Sequence, residues 1–145
     1  MAAQKGHDAV VRTLLDAGAN KDLANNNGAT PLFIAAQNGH DAAVRALLDA
    51  GADKGRAHND GATPLFVAAH YGRDVITRAL LDAGADKDLA RRDGTTPLMT
   101  AAEYGRDAVV RMLLDDGADK TKRSLTTGKT ALGYARTTTS RDLLR

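Results

Sequence analysis

The residues of this chain that come closest to a chemical motif are Gly128, Lys129 and Thr130, which resemble the end of a phosphate-binding loop. That motif needs a further glycine five residues before its second glycine, and Arg123 stands at that position. No apolar run typical of a buried strand precedes the segment. The triplet therefore predicts an ordinary loop, and no nucleotide or other cofactor is expected.

Four histidines, at positions 7, 40, 58 and 70, are the next candidates, either as metal ligands or as bases. His7 and His40 lie far apart in the sequence, and none of the four has a cysteine or a second histidine at the spacing of a metal site. The chain contains no cysteine, which also excludes disulfides and thiol nucleophiles. The histidines are therefore expected to be structural or surface residues, with no metal bound.

Carboxylates are plentiful, but they recur at a regular interval instead of forming an isolated pair. Asp16, Asp49, Asp82 and Asp115 are evenly spaced along the chain, and the single glutamate, Glu103, has no evident partner. Acid–base catalysis needs groups that converge in one pocket. A repeated carboxylate indicates a structural feature, so we predict no catalytic residue and do not expect an enzyme.

The chain matches itself when it is offset by the interval that separates Gly28 from Gly61. Residues 28–33 and 61–66 both read Gly-Ala-Thr-Pro-Leu-Phe, and residues 94–99 read Gly-Thr-Thr-Pro-Leu-Met. Paired alanines, a glycine, a Leu-Leu-Asp triplet and a Gly-Ala-Asp triplet follow at the same interval. Since turn residues and apolar positions recur together, the chain is predicted to be an array of similar units. Aromatic residues make up only 3% of the chain, so its core must consist of closely packed Ala, Leu and Val.

Each unit is predicted to contain two short helices. Thr30 can accept a hydrogen bond from the free amides of a helix start, and Pro31 suits the first helical position. Gly39 can take the left-handed conformation that ends this first helix. A second helix is expected from about Asp41 to Gly51, because its apolar residues are spaced three and four apart. The polar segment after it has the composition of a tight turn.

These features together resemble the ankyrin repeat, and the resemblance covers nearly the whole chain. It implies an all-α solenoid of stacked antiparallel helix pairs joined by hairpin-like loops, in which each unit depends on its neighbours for a core. Phe33, Phe66 and Met99 replace the histidine that the family has after Thr-Pro-Leu. Apolar packing is therefore expected to substitute for the hydrogen bonds of that histidine.

The ends of the array depart from the repeat. Met1 aligns with Ile34, so the first unit keeps only the second half of its first helix and exposes an uncapped apolar face. At the other end, one inserted residue displaces the last copy, and Ser140 is expected to begin a final helix. The single array divides into a partial N-terminal unit at 1–24, full units at 25–57, 58–90 and 91–124, and a truncated C-terminal cap at 125–145.

The resemblance also implies a function, which is the binding of a partner protein on a concave face of hairpin tips and first helices. His70, Tyr71, Arg92 and Tyr104 include the residue types that most often anchor interfaces, so the energetic centre is expected in the C-terminal half. By position, the resemblance assigns to this face Asn26, Asn27, Gln37, Asn38, Asn59, Asp60, His70, Tyr71, Arg92, Asp93, Thr95, Glu103 and Tyr104.

The charge distribution leaves a second function open. Residues 1–119 carry 13 Lys and Arg against 17 Asp and Glu, whereas residues 120–145 carry seven against one. This basic segment is expected to be a solvated terminal unit, with binding of nucleic acid or an acidic surface as the alternative. A third hypothesis is that the chain is an engineered or excised scaffold without a native ligand.

The sequence also predicts the location and the oligomeric state of the chain. No apolar run is long enough to cross a membrane and no secretory signal is recognisable, so an intracellular and cytoplasmic location is expected. The partner protein is unidentified. A monomer is expected, with end-to-end self-association through the uncapped first unit as the alternative.

Overall fold

A computed structural model of the chain describes the backbone of residues 2–145 and the side chains of residues 8–145. Over this range the regular structure consists of helices, without strands. In chain order the helices are α1 (Ala2–Asp16), α2 (Pro31–Asn38), α3 (Asp41–Asp49), α4 (Pro64–Tyr71), α5 (Asp74–Asp82), α6 (Pro97–Glu103), α7 (Asp107–Asp115), α8 (Ala131–Tyr134) and α9 (Thr138–Leu144).

The helices form two rows. In the first row α2, α4, α6 and α8 each pack against the next helix of the row. In the second row α1, α3, α5, α7 and α9 do the same, and α2–α3, α4–α5 and α6–α7 pack against each other as pairs. The predicted stack of repeated helix pairs is therefore confirmed.

The first helices begin and end as the sequence predicts. Thr30 Oγ1 accepts a hydrogen bond from the Phe33 amide at 3.2 Å, and Pro31 is the first helical residue. Gly39 closes α2 with a φ of 79°, in the left-handed region that favours glycine. Replacing each such threonine with alanine costs about 1 kcal/mol in other helices.

The core lies between the two rows and runs through the stack. The leucine of each Thr-Pro-Leu triplet is almost completely buried; these leucines are Leu32, Leu65 and Leu98. Phe33 and Phe66 are also buried, so the predicted apolar substitution for the family's histidine is confirmed. Because each unit buries its apolar face against its neighbours, the stability of the array is collective.

Main-chain hydrogen bonds join the tips of successive hairpins. The Asn59 amide donates to the Asn27 carbonyl at 2.9 Å, and the Arg92 amide donates to the Asp60 carbonyl at 3.1 Å. A Cβ on Gly61 would lie only 2.9 Å from the Arg92 nitrogen. This close approach explains why glycine recurs at that position of the hairpin.

One arginine links α2 to the next unit, and a second arginine links α4 to the unit after that. Arg73 donates to the Gln37 carbonyl from Nε at 3.3 Å and from Nη2 at 3.1 Å. Arg106 donates from Nε to the His70 carbonyl at 3.1 Å. A cation at the carboxyl end of a helix interacts favourably with the free carbonyls there.

A second set of contacts links the loops that follow the second helices. Asp22 Oδ1 accepts a hydrogen bond from the Asp53 amide at 2.8 Å, and Asp88 Oδ1 accepts one from the Asp119 amide at 2.9 Å. Gly55 occupies the equivalent place at the joint between these two. That joint therefore lacks the carboxylate that its neighbours use.

Two details at the ends differ from the sequence prediction. The first unit is expected to keep the second half of a first helix ahead of a separate second helix, but α1 is one helix that continues across Gly6. The residues before Gly6 amount to fewer than two turns, which is too short to nucleate a separate helix. The last helix begins at Thr138 instead of Ser140, because Thr137 caps it by accepting the Ser140 amide at 2.9 Å.

The insertion near the C-terminus lies within the last hairpin. The Arg91 amide bonds to the Thr95 carbonyl four residues on, whereas the Ser124 amide bonds to the Lys129 carbonyl five residues on. The final helix is held by Asp107 Oδ1, which accepts hydrogen bonds from the hydroxyls of Thr137 and Ser140. None of the helices described between residues 2 and 145 is long and apolar enough to cross a membrane.

Candidate binding face

A groove of about 390 Å³ runs between the hairpins and the first helices of the units that contain α2 and α4. Its apolar surface comes from Phe33 and Ile34 of α2 and from Phe66 and Val67 of α4. Its polar rim comes from the hairpins and from the carboxyl ends of the helices. An apolar floor with a few polar groups around it is the usual composition of a recognition site.

Five of the residues predicted for the binding face line this groove: Asn27, Gln37, Asp60, His70 and Tyr71. Asn27 and Asp60 lie at hairpin tips, and the other three lie near the carboxyl ends of α2 and α4. The repeat therefore brings residues from two units together on one surface.

The other predicted residues lie outside the groove. Asn26 and Asn59 are joined at neighbouring tips, where Asn59 Nδ2 donates to the Asn26 carbonyl at 3.2 Å. Asp93 Oδ1 accepts the Thr95 amide at 2.9 Å within the third tip. Arg92 and Asn38 have exposed side chains, and Glu103 and Tyr104 lie at the end of α6.

An aromatic cluster extends the face from α4 to α6. The His70 ring lies 4.7 Å from the Tyr71 ring and 4.1 Å from the Tyr104 ring, measured between centroids. His70 Nδ1 is also 2.9 Å from the Thr100 hydroxyl. Tyr71 and Tyr104 remain 42% and 49% exposed, so two rings held by neighbours still present a wide surface to solvent.

The surroundings of His70 favour its neutral form. Burial lowers the pKa of His70, the charges of Arg106 and Arg91 act in the same direction, and Glu103 opposes them. The pKa therefore lies below the ordinary value of 6.5. At neutral pH the cluster presents an uncharged imidazole between the two tyrosines.

Arg91 is the main residue of this face that the sequence analysis missed. Its guanidinium lies 5.4 Å from the centre of the Phe66 ring, at one end of the groove. Its Nη2 is 3.3 Å from Asp93 Oδ2, and its Nε is 3.8 Å from Asp60 Oδ2. Arg91 thus joins two hairpin tips across the apolar floor.

The two carboxylates beside Arg91 are held in their ionised form. Burial alone would raise the pKa of Asp60, but the Ala62 amide, His58 and Arg91 outweigh it and lower that pKa. Burial likewise opposes the shift at Asp93, whose pKa is lowered by hydrogen bonds from Thr95 and by the charge of Arg91. Asp60 and Asp93 therefore stay negatively charged beside Arg91 at neutral pH.

The signal that could have identified Arg91 is its place in the repeat. Asn25 and His58 hold the same position two units and one unit earlier, and all three line the groove. His58 stacks on Phe33 with ring centroids 5.2 Å apart. The residues predicted for the binding face are those that follow this position, at the hairpin tips, although this position also changes from unit to unit.

The chemistry of the face is that of recognition. Apolar surface, tyrosine rings and charged rim groups meet here, and His58 and His70 contact aromatic rings, a carboxylate and a hydroxyl. Among the side chains that the structure describes, residues 8–145, no three His, Cys, Asp or Glu come together as a metal site. Lys129, from the triplet that resembled a phosphate-binding loop, lies over the Tyr134 ring at 5.7 Å.

Comparison with known proteins agrees with this architecture. The family "Ankyrin repeats (3 copies)" matches residues 1–58 and 44–124, which is most of the chain. A search of curated proteins finds no match. The matched residues include the stacked helix pairs and the hairpins that form the groove, and the chain belongs to the ankyrin-repeat family.

Proposed function

We propose that this chain is a protein-binding module that holds its partner on the face of hairpin tips and first helices, hereafter the hairpin face. Ankyrin repeats are in general protein–protein interaction modules. Each unit, at 25–57, 58–90 and 91–124, contributes one tip and one first helix to the face. The observation that carries the proposal is the pair of half-exposed tyrosines beside an apolar groove.

Tyr71 and Tyr104 are the proposed anchors. A tyrosine buries a large area on binding at a small entropic cost, and such residues carry most of the energy of protein interfaces. Their rings already pack against His70, so little ordering remains for the binding step. A partner side chain that covers both rings would also reach the apolar floor formed by Phe66 and Val67.

The mode of action is complementarity of shape and charge, without a covalent step. The tips are fixed by main-chain bonds between units, such as the bond from the Asn59 amide to the Asn27 carbonyl. Arg91 and Asp60 offer opposite charges on the rim. A fixed surface of this kind discriminates between partners by the charges and apolar groups that it leaves unpaired in the wrong complex.

The proposal is tested by capture followed by titration. The immobilised chain is exposed to a cell lysate at physiological salt, and each protein retained is purified and titrated against the wild-type chain, Tyr71→Ala, Tyr104→Ala and the double variant. Loss of either tyrosine is expected to weaken binding by about 2 kcal/mol, or about thirtyfold. The thermal midpoint should change little, because both rings are half exposed.

Val75→Ala is the matched control. Val75 is 48% exposed, but it lies on α5 in the second row of helices, away from the hairpins. Its loss should leave the affinity unchanged. If the two tyrosine variants bind as tightly as the wild type, or if Val75→Ala is equally damaging, the hairpin face is not the binding site.

The same titration separates the hairpin face from the basic C-terminal segment. Several basic side chains of this segment donate hydrogen bonds to its own main chain. Lys120 Nζ donates to the Arg145 carbonyl at 3.1 Å, and Arg123 Nη1 donates to the Gly128 carbonyl at 2.9 Å. Arg141 Nε donates to the Ala135 carbonyl at 3.2 Å. Capture of nucleic acid alone, with an affinity that falls steeply as the salt concentration rises, would show that the binding site is this basic segment and not the hairpin face.

A further inference from the structure

A fourth hairpin continues the hairpin face beyond the residues that the repeat pattern assigns to it. The Leu125 amide donates to the Asp93 carbonyl at 3.0 Å, which repeats the bond from the Arg92 amide to the Asp60 carbonyl one unit earlier. A Cβ on Gly94 would lie only 2.7 Å from Leu125 Cγ, so the leucine packs closely over the third tip. The tip of the fourth hairpin therefore has a fixed place beside the third.

Leu125 stands at a position that is polar in the other units. Asn26, Asn59 and Arg92 hold the equivalent place at the three earlier tips. Leu125 is 80% exposed, which is the largest value among the large apolar residues that the structure describes. A single exposed leucine is common on protein surfaces, so the groups around it decide what it can bind.

The charge of the hairpin tips changes along the array. Residues 25–29, at the first tip, carry no charge, and residues 58–62, at the second, carry one carboxylate. Residues 91–95 and 123–129, at the third and fourth tips, carry four cations and one carboxylate. The hairpin face is therefore positive around Leu125, although residues 1–119 as a whole carry more carboxylates than cations.

Three of these four cations, Arg92, Arg123 and Lys129, have no carboxylate partner among the residues that the structure describes. Arg123 donates a hydrogen bond from Nη1 to the Gly128 carbonyl, and the Lys129 ammonium lies over the Tyr134 ring. All three residues are exposed. Exposed cations that lack a carboxylate attract acidic groups from solution.

We propose that the third and fourth tips bind an acidic segment of the partner, whose carboxylates face Arg92, Arg123 and Lys129 and whose apolar side chain covers Leu125. This inference rests on the proposed hairpin face, which it extends by one tip. Covering Leu125 removes apolar surface from water, and the ion pairs around it set the position of the segment.

A nucleic acid fits these two tips less well. Its phosphates would meet the ionised carboxylates of Asp60 and Asp93 on the same face. Unpaired bases stack on exposed aromatic rings, but the Tyr134 ring beside the fourth hairpin is only half-buried, lies under Lys129 and has its hydroxyl bonded to Thr127. A segment that combines carboxylates with an apolar side chain uses both the cations and the leucine.

The test is an NMR titration of the whole, isotope-labelled chain with synthetic peptides. The acidic probe is Asp-Glu-Asp-Leu-Glu-Asp with blocked ends, a second probe has serine in place of leucine, and a third has lysine at every acidic position. The acidic probe is expected to shift the amide signals of residues 91–95 and 123–129. It should bind about tenfold more tightly than the serine probe, because the leucine buries apolar surface. The lysine probe should not bind.

Charge reversal at the tips shows whether the cations hold the probe. Arg92→Glu/Arg123→Glu should weaken the acidic probe by about tenfold or more at low salt, since each change replaces an attraction by a repulsion. Arg92→Glu alone, which breaks no side-chain bond, serves if the double variant unfolds. Arg45→Glu is the matched control, because Arg45 is an exposed arginine on α3 in the second row, and it should leave the affinity unchanged.

A leucine variant tests the apolar contact separately. Leu125→Ser should remove the preference for the leucine probe over the serine probe, because the apolar surface that it covers is lost. Leu23→Ser is the control, since Leu23 is 68% exposed but lies in the loop after α1. That variant should keep the preference.

Several results would overturn the proposal. They are equal binding of the acidic and lysine probes, no shift at the two tips with millimolar peptide, or equal weakening by Arg45→Glu. Tighter binding of a thymidine oligonucleotide or of phosphatidylserine vesicles, abolished by Arg92→Glu/Arg123→Glu, would also overturn it, because the cations would then serve a nucleic acid or a membrane.

The captured partner separates this inference from the proposed function. Both stand if the partner loses affinity for Tyr104→Ala and for Arg92→Glu/Arg123→Glu. If only Tyr104→Ala weakens the partner, the hairpin face holds it and the acidic segment is wrong. If neither variant weakens it, both proposals fail.

Discussion

Replacing Gly55 with aspartate should stabilise the array, because it supplies a contact that two other joints already have. Asp22 and Asp88 accept the amides of Asp53 and Asp119 in the next unit, at 2.8 and 2.9 Å. Gly55 holds the equivalent position in the unit between Asp22 and Asp88. Its Cβ would lie 3.5 Å from Asp53 Oδ1, an ordinary contact, and its φ is outside the left-handed region. The aspartate can therefore take the same conformation as its counterparts and accept the Asp86 amide.

The expected gain can be assembled from two contributions. A hydrogen bond from a backbone amide contributes about 1 kcal/mol net, and removing a glycine's freedom in the unfolded chain adds about 0.5 kcal/mol. The new charge lies close to Asp53 and Asp86, and repulsion between exposed carboxylates subtracts about 0.3 kcal/mol. Gly55→Asp should therefore raise the free energy of unfolding by about 1 kcal/mol.

Urea denaturation of three variants separates these contributions. Gly55→Ala reports the effect of the glycine alone, and Gly55→Asp minus Gly55→Ala reports the new bond together with the repulsion. Asp88→Ala should lose about 1 kcal/mol, since it breaks the existing bond to the Asp119 amide. If Gly55→Asp is no more stable than Gly55→Ala, the reasoning that one repeated carboxylate links successive loops is refuted.

Further predictions concern the core, the cap and His70. Leu81 is 5% exposed, so Leu81→Ala should lower the free energy of unfolding by about 2 to 5 kcal/mol. A decrease well under about 1 kcal/mol in urea denaturation would contradict the place of Leu81 in the core. Hydrogen bonds from Ser140 and Thr137 lower the pKa of Asp107 below 3.8, so its stabilisation is present above that pH and lost as the pH falls through the folded-state value. Asp107→Asn should therefore reduce the difference in Tm between pH 7 and pH 3, and an unchanged difference would exclude this role. Because burial lowers the pKa of His70, the folded chain binds fewer protons than the unfolded chain just below pH 6.5, and stability should rise with pH there. His70→Gln should flatten that slope in a series of melts between pH 5 and pH 7, and an unaltered slope would rule His70 out as its source.

Features set by neighbouring residues could be predicted from the sequence. A threonine followed by proline starts a helix, and a glycine ends it, wherever the surrounding pattern allows. The structure has both at Thr30 and Gly39, and at the equivalent positions of the next unit, Thr63 and Gly72. The regular period then implied stacking, because so short a helix pair cannot bury its own apolar face.

Features set by contacts between units could not be predicted in the same way. The choice of Arg92 over Arg91 for the binding face followed from chain position, whereas the direction of the Arg91 side chain is decided by Phe66, Asp60 and Asp93 in other parts of the array. The continuity of α1 across Gly6 is similar. A glycine inside a helix costs only about 1 kcal/mol relative to alanine, so a glycine permits a helix to end there but does not require it.

The central claim is that the hairpin face holds the partner, and amide hydrogen exchange tests it most directly. The exchange of the chain is compared with and without a partner obtained by capture. We predict slower exchange in the tips and first helices, within residues 25–38, 58–71 and 91–104, and unchanged exchange in α3, α5 and α7. Protection confined to those second-row helices, or to residues 120–145, would contradict the account.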